Sequence, residues 1–419
     1  MKLVGLSLRS LRSRASTVFL VVLNLSLSIA LYIGVIGVER ISRASFENSI
    51  SGVDLILAPR GNDMQILLYT VFNIGEPGGL ISGESLNKLA QDPDVDWLVP
   101  ISLGDSFNGF RVIGTTPQFF ETIDVQRGRP LQFAGGQPFT NFFDVVIGSR
   151  VADELGLTIG QDITIQHGMG GINSASHDRL PFQVTGIMKQ TGTAFDQVVL
   201  IRIEALEGLH MGWRNGQELI GLSADEVIAQ MGLRTSYSSN AAFIGVKSPI
   251  KLFSLQRRIS ELQGEALSAV IPGVGLAKLW QLIGSVETGF QFIALLVIAA
   301  AVIAMVAMTM ASLDNRRREL AILRSVGASP FHLVLLLLME SIFIAVSACL
   351  LGIGISQLGM WLGSFYLQSQ FGLVVGSGLL HLEDLWVLVY VVGAAIGASG
   401  IPAFQLYRRT VNDGITIKL

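Results

Sequence analysis

The 419-residue chain has a single cysteine, Cys349, so no disulfide bond can form within it. Charged residues are also scarce: they make up 15% of the chain, against about 25% in soluble domains, whereas 50% of the residues are hydrophobic. The mean hydropathy is +0.55 and the net charge is -3. These values exclude a disulfide-stabilised secreted domain, and they give no reason to expect a nucleic-acid partner. They are typical of a membrane protein.

The sequence also lacks the GxxxxGK[ST] phosphate-binding loop of ATPases, since it contains no Gly-Lys pair. The Gly-Ala-Ser-Gly run at 397–400 matches a motif of intramembrane serine proteases, but such a protease needs a histidine partner on another span, and His332 and His381 lie at opposite ends of their segments. His167, His177 and Asp178 are spread over a Gly/Ser-rich loop, whereas zinc ligands usually come in tighter pairs. We therefore expect no enzymatic activity, and no metal or cofactor bound by this chain.

Four apolar runs are long enough to cross about 30 Å of hydrocarbon, which takes roughly 20 residues. The first run follows a basic segment, as a signal peptide does. Its apolar stretch is longer than a signal core, however, and no small-residue cleavage site closes it, so we interpret it as an uncleaved anchor. The four predicted transmembrane helices cover 17–38, 288–311, 331–356 and 385–407.

Lysine and arginine predict the orientation, because cytoplasmic loops carry an excess of both. The N-terminal segment 1–16, the loop 312–330 and the tail 408–419 are basic, whereas the loop 357–384 contains neither residue type. Both termini are therefore predicted to be cytoplasmic, and the region 39–287 extracytoplasmic. The predicted fold is a membrane protein with four transmembrane α-helices and a large mixed α/β domain inserted between helices 1 and 2.

Region 39–287 mixes strand-like runs with helical patterns. Ser82 is a weak N-cap for one helix, Gly156 is a good C-cap for another, and a third helical pattern covers 250–267. The stretch 60–79 fits none of these patterns and has no assigned role. The runs VVIGSRVADELGLTIGQDITI and FQVTGIMKQTGTAFDQVVLI resemble the periplasmic core domain of MacB-type ABC transporter permeases.

A short basic segment, DNRRRELAILRSVGASP, separates the second and third apolar runs. Each of its arginines would cost about 2.5–3.5 kcal/mol at mid-bilayer, so the segment lies in water or among headgroups. Leu320 and Leu323 fall on one face of a predicted helix, Gly327 can form a left-handed C-cap, and Pro330 begins the next helix. From these residues alone, the favoured interpretation is a lipid anchor, in which attraction to anionic lipid contributes about 1 kcal/mol per arginine.

The ELAILRSVGAS pattern, however, resembles the cytoplasmic loop of the FtsX-like permease domain shared by the MacB, LolC/LolE and FtsX families. The resemblance implies a coupling helix that contacts an ABC ATPase, which binds ATP and Mg²⁺ in place of this chain. MacB carries its ATPase fused at the N-terminus, whereas this chain opens on a membrane helix, so we expect a separate ATPase subunit. The residues expected to couple to it are Arg317, Glu319, Leu320, Leu323, Arg324 and Gly327.

Two further features lie within the predicted spans. Gly393 and Gly397 form a GxxxG pair in the fourth span, which permits close helix packing either within the chain or in a dimer. Glu340 lies inside the third span, about 15 Å from Pro330 along the predicted helix. An ionisable residue at that depth is a candidate functional residue, which could couple helix motion through a buried hydrogen bond; the alternative is that it simply pairs with Asn24 or Thr309.

The resemblance covers nearly the whole chain and implies the permease subunit of an ATP-driven ABC transporter in a bacterial inner membrane. Expected partners are the ATPase, a second permease copy or a paralogue, the lipid bilayer, and a periplasmic adaptor or binding protein. The cargo of such efflux or extraction systems is a lipoprotein, a peptide, a lipid or a drug-like molecule. The alternative is an FtsX-like signalling or scaffold protein that regulates a periplasmic partner such as a cell-wall hydrolase. The large size of the 39–287 domain favours the transporter.

Overall fold

A computed structural model describes residues 2–48, 52–125, 128–168, 179–211, 213–214, 217–218, 221–315, 317–371 and 384–412. The chain folds into two compact units. The first, which we call the helical unit, comprises Met1–Ile41, Gly284–Tyr366 and Val375–Leu419. The second, which we call the α/β unit, comprises Ser42–Ile283 and Leu367–Val374.

Thirteen α-helices form within the described residues, and four of them are long and apolar enough to cross a membrane. The helices are α1 (Lys2–Arg12), α2 (Ala15–Asn48), α3 (Asp63–Val71), α4 (Gly83–Ala90), α5 (Gln118–Thr122), α6 (Ser149–Leu155), α7 (Ile203–Leu209), α8 (Ala224–Met231), α9 (Leu252–Ser260), α10 (Pro272–Asn315), α11 (Arg317–Ser325), α12 (Pro330–Phe371) and α13 (Leu385–Asn412). Two short 3₁₀ helices cover Ala194–Gln197 and Pro249–Lys251.

The four candidate spans lie in α2, α10, α12 and α13, one for each apolar run of the sequence. They cover Ala15–Ile41, Pro272–Ala311, Pro330–Ser364 and Leu385–Arg408. The helices themselves extend beyond the apolar runs, because apolar composition marks contact with hydrocarbon, whereas helical hydrogen bonding continues into polar flanks.

The spans of the helical unit pack around one apolar core. Its most buried members include Leu25 and Ile29 of α2 and Ala345 and Ala348 of α12. At Gly352 of α12, an added Cβ would lie 2.8 Å from the Ser26 carbonyl oxygen and 2.9 Å from the Ile29 Cβ. Glycine at this position therefore allows α12 to pack closely against α2.

Fifteen strands form within the described residues of the α/β unit. They are β1 (Leu55–Pro59), β2 (Val95–Phe107), β3 (Phe110–Thr115), β4 (Asp124–Val125), β5 (Arg129–Pro130), β6 (Phe133–Gly136), β7 (Asp144–Ile147), β8 (Asp162–Ile163), β9 (Gln166–His167), β10 (Phe182–Met188), β11 (Val198–Arg202), β12 (Trp213–Arg214), β13 (Gln217–Glu218), β14 (Ala241–Val246) and β15 (Leu267–Val270).

Eleven of these strands form one mixed sheet, in the order β15-β1-β14-β2-β3-β11-β7-β10-β6, with β8 paired to β10 and β9 paired to β2. The β3–β11 and β7–β10 pairs are parallel, and the other pairs of the main path are antiparallel. The pairs β4–β5 and β12–β13 stand apart as small ribbons. The sheet therefore confirms the mixed α/β fold class.

Strand β2 joins the two halves of the sheet. Its first half pairs with β14 and its second half with β3, with a register shift between Leu103 and Asp105 in the second pairing. The β2–β3 hairpin turns at Asn108 and Gly109, whose φ angles are +48° and +86°. Positive φ at both positions is the two-residue Asn-Gly turn that matches strand twist.

The two caps predicted from the sequence are present, but one predicted helix is too long. Ser82 Oγ accepts a hydrogen bond from a first-turn backbone N–H of α4, and Gly156 ends α6 in the left-handed conformation with φ of +64°. The prediction of a helix over 250–267 is wrong, because α9 ends at Ser260 and Leu267 begins β15. Gly264, with φ of +104°, lies in the connection between them.

The stretch 60–79, which the sequence left unassigned, contains α3 and contributes to the core of the α/β unit. Asn62 caps this helix through its side chain, and Ile66, Leu67 and Tyr69 are buried. The stretch is thus a packing element of the sheet domain.

Candidate coupling site

The basic segment between the second and third spans forms α11 and then stops sharply. Gly327 has φ of +99°, and its N–H donates to the Arg324 carbonyl oxygen at 2.9 Å. The Ala328 N–H donates to the Leu323 carbonyl oxygen at 3.0 Å, and Pro330 is the first residue of α12. The predicted order of short helix, glycine C-cap and immediate membrane helix is confirmed.

Leu323 attaches α11 to the membrane helices. Its half-buried side chain belongs to a small apolar cluster with Leu313 of α10, Leu333 and Leu337 of α12, and Leu406 of α13. A displacement of α11 therefore acts on the ends of three spans. Leu323 therefore anchors α11 to the spans, and its expected contact with an ATPase stays a prediction.

Two exposed apolar residues, which were not among the expected coupling residues, lie near the C-terminal end of α11. Ile322 of α11 is 63% exposed, and Val326, which directly follows the helix, is 83% exposed. Glu319 and Arg324 are also exposed. The side chains of Arg317 and Leu320, two other predicted contacts, lie outside the described part of the structure. The apolar residues of ELAIL follow one another in sequence, so periodicity alone could not separate an anchoring residue from a docking residue.

A cavity of about 420 Å³ lies beside α11. Its lining includes polar residues from four parts of the helical unit, among them Arg14 before α2, Thr309 of α10, Glu319 of α11 and Glu340 of α12. The cavity therefore brings the basic segment next to the intramembrane glutamate that the sequence singled out.

Glu340 is buried and pairs with the N-terminal segment of the chain. Its Oε2 accepts a hydrogen bond from Arg14 Nη2 at 2.9 Å, and its Oε1 accepts one from Ser10 Oγ. From the sequence, the alternative partners expected for Glu340 are Asn24 and Thr309. The structure pairs it with Arg14 and Ser10. This ion pair compensates a carboxylate that would otherwise be expensive to bury.

Polar pairs also hold α2 at its other end. Arg40 Nη2 lies 3.0 Å from Oδ1 of the buried Asp384, just before α13, and Gln291 Nε2 of α10 donates to Glu39 Oε2 at 3.0 Å. The segment from Arg14 to Arg40 is about 39 Å long at 1.5 Å per residue. Because this exceeds the ~30 Å of a hydrocarbon core, the two ends of α2 meet opposite surfaces of a membrane.

The GxxxG pair of the fourth span makes no close contact within the described chain. An added Cβ at Gly393 or Gly397 would meet nothing within 4 Å, and both residues are exposed. The sequence left open whether the pair packs within the chain or in a dimer. Among the described residues, the pair makes no close packing contact within the chain. The close approach between spans is made at Gly352 instead.

Two family models match the chain. Residues 18–244, more than half of the chain, match the model described as the MacB-like periplasmic core domain. Residues 291–412 match the model described as the FtsX-like permease C-terminal. The chain is an ABC transporter permease of the MacB/FtsX type. The family resemblance stated from the sequence is thereby confirmed, and the permease is a multi-pass membrane protein.

Two solved structures are similar to the α/β part of the permease. The periplasmic region of MacB from Actinobacillus actinomycetemcomitans has 12% sequence identity and a TM-score of 0.32, over 55% of this chain and 94% of that chain. The extracellular domain of the noncanonic ABC-type transporter YknZ from Gram-positive bacteria has 14% identity and a TM-score of 0.29, over 52% and 98%. No curated protein matches the permease significantly.

Proposed function

We propose that the permease couples ATP hydrolysis by a separate ABC ATPase subunit to movement of its α/β unit. In this proposal the membrane is a bacterial inner membrane, both termini are cytoplasmic and the α/β unit is periplasmic. The cargo is a lipoprotein, peptide, lipid or drug-like molecule that is exported or extracted. The ATPase binds ATP and Mg²⁺, and the permease itself catalyses no reaction.

The observation that carries this proposal is that α11 is anchored and yet bears exposed apolar residues. Leu323 packs against the ends of three spans, whereas Ile322 and the adjoining Val326 are exposed. Exposed apolar side chains on a short, anchored helix are suited to insertion into a groove of a partner protein. Burying both would contribute about 3–6 kcal/mol, at 1.5–3 kcal/mol for each side chain.

A second permease copy or a paralogue is the other expected partner. The exposed face at Gly393 and Gly397 would allow a helix of that partner to approach closely. A periplasmic adaptor or binding protein would act on the α/β unit. The alternative function, an FtsX-like scaffold that regulates a cell-wall hydrolase, is disfavoured because residues 18–244 match the MacB-like core domain.

The test is co-purification of the permease from native membranes with assay of ATPase activity in the eluate. The Ile322→Asp, Val326→Asp double variant should lose the ATPase subunit, because the loss of about 3–6 kcal/mol corresponds to at least roughly a hundredfold in affinity. The control is Leu233→Asp, which places one such charge on an 84% exposed leucine of the α/β unit. This control should retain the ATPase.

Two results would contradict the proposal. If the double variant keeps as much ATPase as Leu233→Asp, then α11 is a lipid anchor and the docking role is wrong. If no ATPase accompanies even the wild-type permease, coupling to a separate subunit is wrong and the scaffold function takes its place.

A further inference from the structure

Three potential metal ligands that are far apart in sequence meet in the α/β unit. They are Asp105 of β2, His167 of β9 and His210, which follows α7. His177 and Asp178, the residues weighed with His167 as metal ligands in the sequence analysis, lie outside the described part of the structure. The partners that the structure gives to His167 are Asp105 and His210 instead.

The distances between the donor atoms match the edges of a small coordination polyhedron. His167 Nδ1 lies 3.1 Å from His210 Nε2. Asp105 presents one oxygen to each ring, with Oδ1 3.4 Å from His167 Nδ1 and Oδ2 3.4 Å from His210 Nε2. Bonds of about 2.05 Å to a tetrahedral Zn²⁺ give donor separations of about 3.3 Å, whereas octahedral coordination at that bond length gives about 2.9 Å. The separation of 3.1 Å between the two ring nitrogens lies between these values, and the two separations of 3.4 Å are made by different oxygens of Asp105.

The hydrogen bonding of His210 leaves its inner nitrogen suited to bind a cation. His210 Nδ1 lies 3.1 Å from the Leu206 carbonyl oxygen, which can only accept a hydrogen bond. Nδ1 therefore carries the proton, and in the neutral ring Nε2 directs a lone pair towards Asp105 and His167. A ligating histidine typically uses its other N–H in this way, to fix the tautomer and the orientation of the ring.

The carboxylate of Asp105 supplies an independent indication. Asp105 is fully buried, and its Oδ2 accepts no hydrogen bond of normal length among the described residues, since the nitrogen that faces it, His210 Nε2, is 3.4 Å away. A buried carboxylate oxygen without a donor is costly, and a bound cation would compensate its charge. The oxygen faces His210 Nε2, so the site combines a buried negative charge with a ring nitrogen of a type that binds metal ions.

The backbone holds the three ligands in fixed positions. Asp105 and His167 are directly opposite each other in the antiparallel β2–β9 pair. The register shift between Leu103 and Asp105 is a bulge of the kind that redirects side chains near functional sites. His210 is the C-cap of α7. Each ligand therefore belongs to a regular element or directly follows one, as preorganised sites require.

We propose that Asp105, His167 and His210 form a binding site for a divalent transition-metal ion, with Zn²⁺ as the best fit. The donor set of two imidazoles and one carboxylate is that of known zinc sites, and the imidazoles disfavour Mg²⁺ and Ca²⁺, which prefer oxygen ligands. The side chains of His167 and His210 are 39% and 36% exposed, so a further coordination position is open to solvent. The site is independent of ATPase docking and departs from the expectation, drawn from sequence, that the chain binds no metal.

The test is a titration of the purified full-length permease, in detergent and with an affinity tag that contains no histidine. After treatment with a chelator and its removal, Zn²⁺ should bind at one ion per chain by calorimetry, and Mg²⁺ should give no heat of binding. Co²⁺ in place of Zn²⁺ should give the intense visible absorption of tetrahedral coordination. His167→Gln and His210→Gln should each lower the affinity for Zn²⁺ by at least roughly a hundredfold.

The matched control is His332→Gln, which removes an exposed histidine of the helical unit. This control should bind Zn²⁺ as the wild type does. If all three histidine variants bind Zn²⁺ alike, or if the wild type takes up no stoichiometric ion, the proposed site does not exist. These outcomes do not depend on the ATPase, so they are separate from the test of coupling.

A second measurement tests the metal site in the wild-type permease, in case the variants fail to fold. Diethyl pyrocarbonate modifies accessible histidines, and mass spectrometry locates the modified residues in the wild-type permease. Zn²⁺ should protect His167 and His210 from modification and leave His332 reactive. Equal modification of His167 and His210 with and without Zn²⁺ would overturn the proposal.

Discussion

Arg14→Ala and Glu340→Gln both break the Arg14–Glu340 ion pair, but they should destabilise the helical unit by unequal amounts. The Glu340 side chain is 5% exposed, whereas the Arg14 side chain is 24% exposed and lines the cavity. Arg14→Ala leaves a carboxylate buried without its counter-charge. Glu340→Gln leaves a guanidinium on a flexible stem, which can move towards water.

The magnitudes follow from this difference in burial. Removing one partner of a buried ion pair costs about 3–5 kcal/mol, and the partial exposure of Arg14 reduces this to about 3 kcal/mol for Arg14→Ala. Glu340→Gln keeps the size of the side chain and its ability to accept from Ser10, so its cost is about 1 kcal/mol. At 2–4 °C per kcal/mol for a unit of this size, the expected shifts in Tm are about 6–12 °C and 2–4 °C. The double variant should lose less than the sum, because neither charge remains unpaired.

Cys349 provides a direct assay of these shifts. It is the single cysteine of the chain and is 1% exposed in the core of the helical unit, on the same helix as Glu340. A maleimide dye that fluoresces on reaction with a thiol therefore reports when this unit unfolds, whatever the state of the α/β unit. The midpoint of the fluorescence rise on heating gives Tm for each variant in detergent.

The control is Arg9→Ala, which removes an exposed arginine of the same N-terminal segment. Its Tm should stay close to that of the wild type, as is usual for surface substitutions. If Arg14→Ala shifts Tm no more than Arg9→Ala does, the ion pair contributes nothing to the packing of the spans. If Glu340→Gln costs as much as Arg14→Ala, the argument from burial is wrong.

Two further predictions concern other parts of the molecule. Gly352→Val should lower the Cys349-reported Tm, because its Cβ would overlap Ser26 and Ile29 of α2, whereas Gly354→Val, with nothing within 4 Å, should leave Tm unchanged. In the α/β unit, burial raises the pKa of Asp144, but hydrogen bonds from the backbone and side chains of the 140–141 turn outweigh it and hold the pKa below its usual value of 3.8. Stability from this carboxylate is therefore present at neutral pH and lost as the pH falls below about 4. Asp144→Asn should lower stability at pH 7 and reduce the loss between pH 5 and 3, as measured by circular dichroism; an unchanged acid profile would contradict this.

Local features of the fold could be predicted from the sequence because their physical causes are local. The apolar runs identify the four spans by length, and the Gly327–Pro330 signal gives the break between α11 and α12. The caps at Ser82 and Gly156 were recognisable from side-chain chemistry alone. The stretch 60–79 escaped prediction because the periodicity of a helix buried in the core is obscured when most of its positions are apolar.

The candidate sites depend on residues that the sequence does not bring together. Arg14 lies 326 residues from Glu340, and no pattern in either segment identifies the other as its partner. The ligands of the proposed metal site are likewise dispersed, because their meeting depends on the pairing of β2 with β9 and on the position of α7. For α11, the sequence does not distinguish the apolar residue that packs on the spans, Leu323, from the exposed apolar residue beside it, Ile322.

The polar contacts of α2 indicate how the spans of the helical unit can be coupled. At one end α2 is joined to α12 through Arg14 and Glu340, and at the other end it is joined to the start of α13 through Arg40 and Asp384. Between these ends, the close approach at Gly352 leaves little room for α12 to shift against α2. The cavity that contains Arg14 and Glu340 also borders α11, so a partner that moves α11 changes the surroundings of an ion pair that holds two spans together. If the proposed coupling takes this route, it requires the charge of Arg14, and the N-terminal segment then has a role in transmission.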